Sequence, residues 1–272
     1  MNQGYPTNQG YTSNPMANQY AEQPNYGQYS QPLHDKEQQQ QGEVNFDQLA
    51  RLGFIRKVYG ILSTQLTVSL IFIIAAMFVD PKTLFKNSTL LFPMYIISVI
   101  TIIITAILIC CCFRRVYPAN YICLGLFTLA ESYILFLICA TYNPQTVLIA
   151  LAMTAAITFG LTIYAMTTKS DFTFCGGMLW ALSFGLIVFW LLFIFIAPTF
   201  SEANMRLIYI GACMAGVVIY SIYLIYDTQL IMGKFGNEYS IDDYIFAALN
   251  LYLDIINLFL YILQILGASN RN

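Results

Sequence analysis

The fold class predicted for this chain is an all-α membrane protein of seven transmembrane helices behind a disordered N-terminal tail, and three observations predict it. Of 272 residues, 58% are hydrophobic and only 10% charged, with a mean hydropathy of +0.63, whereas soluble globular domains carry about 25% charged residues. Seven apolar runs follow one another, each with the roughly 20 residues that a bilayer crossing needs. Residues 1–47, rich in Gln, Asn, Tyr, Pro and Gly, hold too little aliphatic surface to offset the entropy of ordering.

The tail has no feature of a folded domain, and its tyrosines and prolines are candidates for docking a cytosolic partner. No cleavable leader is expected, because the N-terminus is polar and the first apolar run begins near Val58. Residues 48–272 form the membrane domain, with spans at about 58–79, 90–112, 118–140, 146–168, 177–197, 205–226 and 244–267. The connectors are too short for a soluble domain, so any chemistry belongs inside the bundle or at its faces. The net charge of −2 and the lack of a long basic run exclude nucleic acid as a partner.

Lys and Arg near the spans set the orientation. With the N-terminus cytosolic, the inner side holds Arg51, Arg56, Lys57, Arg114, Arg115, Lys169 and Lys234, against Lys82, Lys86, Arg206 and Arg271 outside. That bias places the N-terminus in the cytosol and the C-terminus on the lumenal or external side. The sequon at Asn87 then falls outside, too near the membrane to be an expected glycosylation site. Seven cysteines lie in or beside apolar runs and imply no disulfide framework. Cys110, Cys111 and Cys112, juxtamembrane and beside Arg114 and Arg115, read either as S-acylation sites or as small hydrophobes.

Polar residues inside spans carry the functional argument, because a charged group in hydrocarbon costs roughly 2.5 to 3.5 kcal/mol even on lenient scales. Glu131, in the third span, is either a neutral structural acid holding its proton or part of an ion path. Thr154, Thr158, Thr162, Thr167 and Thr168 stud the fourth span and are expected to cement helix packing. Asp227 closes the sixth run, and Asp254 lies ten residues into the seventh, ~15 Å along a helix that starts at Tyr244. The two spans are antiparallel neighbours, so the carboxyls meet if the intervening loop folds the sixth span inward. Two adjacent carboxyls do not readily both ionise, which makes such a pair proton-sensitive. Deprotonated, the same oxygens are hard ligands that suit transient Ca²⁺, with Asn250 and Asn257 as supplements. The alternative leaves each acid facing interfacial water separately.

At these residues the chain resembles the Bax inhibitor-motif family of seven-span membrane proteins, in its lifeguard branch. The resemblance is carried by Tyr226-Asp-Thr-Gln-Leu-Ile-Met-Gly233, by Ala248-Leu-Asn-Leu-Tyr-Leu-Asp254-Ile-Ile-Asn257, by the stretch from Phe54 to Leu66 and by Asn120 to Ser132. It covers about residues 46–270. It implies a central seventh helix wrapped by the other six, and a passive, pH-sensitive Ca²⁺ leak of an intracellular membrane, endoplasmic reticulum or Golgi. It further implies, in animals, protection from cell death, and other membrane proteins that control cell death are candidate partners. By the same resemblance Asp227 and Asp254 form the proton-sensing pair, and Arg114, with Arg115 as fallback, latches onto Asp227. Prokaryotic relatives carry an acid partway along the second helix; here that stretch, around Ile103, is apolar apart from threonines, and Glu131 is a candidate to replace it. No cofactor is implied beyond Ca²⁺ as the permeant ion.

Other classes fit less well. An intramembrane aspartyl protease also sets a Tyr-Asp on one helix and an Asp on the next, but Asp254 follows Leu-Tyr-Leu and not Gly-x-Gly, and no Pro-Ala-Leu segment follows. No enzymatic activity is therefore expected. An opsin-like receptor needs a lysine in the last span, where there is none. A membrane scaffold that regulates cell death by protein binding, without ion flux, stays open.

Overall fold

The computed structural model describes residues 33–86, 91–196, 200–236 and 238–269; Asn87 and Arg271 lie outside the described residues. The chain divides at Phe46, and residues from Asp47 onward form one unit. Helix α1 (Leu33–Met77) opens the described chain, so its backbone is helical from within the stretch assigned to the tail.

Helices follow as α2 (Pro81–Lys86), α3 (Leu91–Cys111), α4 (Ala119–Cys139), α5 (Pro144–Thr167), α6 (Gly176–Ile196), α7 (Glu202–Met232) and α8 (Tyr244–Ser269). Among the described residues, seven helices are long and apolar enough to cross a membrane: all but α2, with the span of α1 running from Asp47. No strand occurs among the described residues, as expected where lipid leaves the backbone no partner but itself. Proline opens α5 at a position whose N–H has no helical acceptor.

Burial separates the helices into centre and rim. α6 buries only Leu179, and α3 only Ser98, Thr105 and Ile109, so their remaining apolar surface faces lipid. α8 is the most buried of the seven; Tyr252, Leu249, Leu251 and Phe259 have almost no exposure. It packs against α4, α5 and α7, while α3 packs on α4 and α6 on α7. The expected central seventh helix is therefore present. Close approach of α7 to α8 depends on Gly216, where an added Cβ would lie 2.7 Å from the Tyr261 ring.

Two sequence expectations change. α7 does not stop at Asp227 but continues to Met232, capped by Gly233 in the left-handed region at φ 65°, a conformation that glycine adopts without steric cost. Asp227 thus sits more than a turn inside the helix, and no infolding of its end is required. Two of the threonines of α5 bond their own helix: Thr154 Oγ1 donates to Ala150 O at 2.8 Å and Thr167 Oγ1 to Ile163 O at 2.8 Å, the local back-bonding open to hydroxyls, whereas Thr158 Oγ1 is buried without a partner.

Candidate functional site

Three consecutive polar residues near the end of α7, Asp227, Thr228 and Gln229, are all buried, and each is satisfied differently. Thr228 Oγ1 donates to Leu224 O at 2.6 Å. Gln229 pins the connector between α5 and α6: its Oε1 accepts from Phe172 N at 2.8 Å, and its Nε2 donates to Ser170 O at 2.9 Å. Asp227 turns toward α8.

On α8, Asn250, Asp254 and Asn257 stand four and three residues apart, on one face. That face meets Asp227, and the Asp227 and Asp254 carboxyls lie close enough to interact. Both acids, both asparagines and Tyr239 line one cavity of ≈ 500 Å³ between α6, α7 and α8. Tyr239, on the loop between α7 and α8, donates its hydroxyl to Asp227 Oδ1 at 2.8 Å and accepts from Asn250 Nδ2 at 2.9 Å. Asn257 Nδ2 donates to Leu253 O at 2.8 Å. Asp254 Oδ2 is buried with no hydrogen-bond partner.

The direction of this chain of bonds sets where the phenol hydrogen points. Tyr239 receives from Asn250, so its own hydrogen goes to Asp227. Asp227 is the acceptor there, and a hydrogen bond between two carboxyls forms only where one proton is shared between them. The phenol stays protonated, because burial first and the neighbouring Asp227 second push its pKa up.

The expected latch forms elsewhere. Arg114 Nε and Nη2 each donate to Asp243 at 2.9 Å, and Arg115 Nε and Nη2 reach the same carboxylate at 2.8 and 3.0 Å. Asp227 has Tyr239 beside it instead, and Arg114 lies over the Phe246 ring at 4.2 Å. Asp243, in the short 3₁₀ turn Ile241–Asp243 before α8, is buried and was not singled out by sequence reasoning. Its hydrogen bonds and charge raise the pKa of Arg115. Arg114 is 37% exposed, so its share of the clamp is worth about 1 kcal/mol or less after solvent screening. Asp243→Asn is expected to lower the melting temperature of the purified protein, more at low salt than at high salt; equal melting at both would show the clamp to be dispensable.

Glu131 is not brought to the pair. It lies on α4 outside the lining of this cavity, with Tyr252 of α8 within electrostatic reach. Near it a second polar cluster joins α1, α4 and α8: Ser69 Oγ is 3.0 Å from Ser132 Oγ and 2.7 Å from Tyr252 Oη, and Gln65 Nε2 donates to Thr128 Oγ1 at 3.1 Å. Tyr252 and Asp254 are two positions apart on α8, so they point to different sides of that helix. Cys110, Cys111 and Cys112 are exposed, the other four cysteines are buried, and all seven are free. No group of three His, Cys, Asp or Glu side chains able to hold a metal occurs among the described residues, so any cation here would rest on two carboxylates and neutral oxygens.

Comparison with known proteins identifies the family. The family model described as Inhibitor of apoptosis-promoting Bax1 matches residues 51–271. Protein lifeguard 3 of Homo sapiens is 33% identical over 226 residues, covering 82% of this chain and 71% of that protein. Its counterpart of the same name in Mus musculus is 30% identical over 271 residues, 91% of this chain and 86% of its own. LIFEGUARD 3 of Arabidopsis thaliana is 35% identical over 228 residues, 81% and 86%. With a match across nearly the whole membrane unit and relatives in animals and plants at this identity, the chain belongs to the Bax inhibitor and lifeguard family of multi-pass membrane proteins.

Proposed function

We propose that the protein is a passive, pH-sensitive Ca²⁺ leak of an intracellular membrane, endoplasmic reticulum or Golgi, and that it regulates cell death by this flux without enzymatic chemistry. The observation that carries the reading is the meeting of Asp227 and Asp254 inside one cavity, with Asp254 Oδ2 buried and unpartnered. A buried acceptor without a donor is costly, and a divalent cation or a proton offsets that cost. Two carboxyls this close favour sharing a proton; losing it sets two negative charges together, which a hard cation neutralises. Cation and proton therefore compete for the same oxygens.

The membership supplies the cell-death context, since the family model is described as an inhibitor of apoptosis-promoting Bax1. Ca²⁺ release from an intracellular store is a physical route by which a membrane-embedded bundle can act on it. Reconstitution in dye-loaded liposomes tests the reading. Wild type is expected to pass Ca²⁺ at a rate that changes between about pH 5 and 8, the window open to a coupled carboxyl pair. A chain that passes none, yet still alters cell survival, would act as a scaffold.

A further inference from the structure

We propose that Tyr239 is the gate residue of this path: its phenol occupies the seat beside Asp227 that a permeating cation takes, and Arg51 is the tether that keeps it there. The inference rests on the leak reading and names the side chain that closes it.

The geometry starts from the end of α7. Gly233 turns the chain back on itself, and Tyr239 N donates to Leu230 O at 3.3 Å, which brings Tyr239 over the last turns of the helix. Its hydroxyl then fills the space between Asp227 and Asn250, the first acid and the first asparagine of the cavity. Phenol is a neutral donor in this place. It satisfies one oxygen of Asp227 without the desolvation that a cation would require, and a cation seeking that oxygen must displace it.

Tyr239 is held from two directions. Arg51 Nη1, on α1, donates to the Tyr239 carbonyl at 2.8 Å, and the same guanidinium forms an ion pair with Glu238. The Tyr239 ring stands edge-on to Phe246, centroids 6.0 Å apart at 79°, and Phe246 carries Arg114 on its face. The groups that face the phenol are therefore Asp227 from α7, Asn250 and Asp254 from α8, and Arg51 with Glu238 at its own backbone. Of these, Arg51 alone touches the Tyr239 main chain through a charged side chain, so its loss frees the loop while the phenol stays intact.

Tyr239→Phe removes only the hydroxyl. In Ca²⁺-dye liposomes at neutral pH, efflux through the full-length variant is expected to rise about tenfold or more, the factor carried by a hydrogen bond to a charged acceptor. Arg51→Gln, which leaves the phenol in place, is expected to raise efflux by a smaller factor and serves if the first variant does not fold. In parallel, the infrared carboxylate stretch of Asp227, assigned by its loss in Asp227→Asn, should shift in Tyr239→Phe. If wild type leaks and neither variant leaks faster, the gate is wrong while the leak stands. If wild type passes no Ca²⁺ at any pH, the leak reading itself falls. An unshifted carboxylate band would remove the hydrogen bond on which the gate depends.

Discussion

Asp254→Asn is expected to abolish the pH dependence of Ca²⁺ flux while leaving the bundle folded. The amide keeps the volume of the side chain and can still donate to Asp227, so packing around α8 is preserved. What it cannot do is release a proton. A site that exchanges one proton for its ion gains or loses up to about tenfold in apparent affinity per pH unit, and with the amide that slope should fall toward zero. Flux should also fall, because one of the two carboxylates that offset the charge of the ion is gone. Dye-loaded liposomes holding wild type or variant at matched protein density give both quantities. A variant whose flux still follows pH as wild type does would place the sensor elsewhere, with Glu131 the next acid to test.

Gln229→Leu should show the opposite pattern, a loss of stability with the pH dependence retained. Gln229 is fully buried and is the side chain that ties the α5–α6 connector to α7, through Phe172 N and Ser170 O. Leucine fills the space but leaves one donor and one acceptor without partners. Each such group costs about 1–3 kcal/mol when buried, and water reaching the exposed Ser170 brings the expected total to about 2 kcal/mol. Thermal unfolding of the purified protein in detergent reads this directly. An unchanged melting temperature would mean that the connector re-pairs its backbone without Gln229, and a changed pH profile would mean that Gln229 belongs to the sensor.

Much of the architecture was legible in the sequence because lipid leaves few choices. Runs of about 20 apolar residues must be helices, and the spans found differ from those expected mainly at their ends. The α8 face was legible as well, since Asn250, Asp254 and Asn257 follow helical spacing. The course of α7 was not. Thr228 and Gln229 read as the polar edge of a span, whereas in the fold both are buried and bonded, and Gly233 supplies the stop.

The arginine partner was misread for a related reason. Resemblance pairs Arg114 with Asp227, but α7 runs past Asp227 and Tyr239 fills the space beside it, leaving Arg114 and Arg115 to share Asp243. Asp243 and Tyr239 lie in a connector with no periodicity to read, where side-chain direction depends on how the loop folds back. The signals available were an acid next to the start of the last span and a tyrosine in a polar loop, and neither names its partner. Arg51 was legible only as a topogenic charge; its contact with the Tyr239 carbonyl is a backbone contact, which side-chain chemistry does not announce.

The central claim is that Asp227 and Asp254 share one proton which Ca²⁺ displaces, and counting protons tests it most directly. Wild-type protein in lipid nanodiscs, titrated with Ca²⁺ in weakly buffered solution, is predicted to release about one proton per ion bound while the pair is protonated, with half-saturation shifting about tenfold per pH unit in that range. The sign follows from competition: lowering the pH restores the proton and weakens the ion. Ca²⁺ binding that releases no proton, or binding equally tight across the range, would contradict the account.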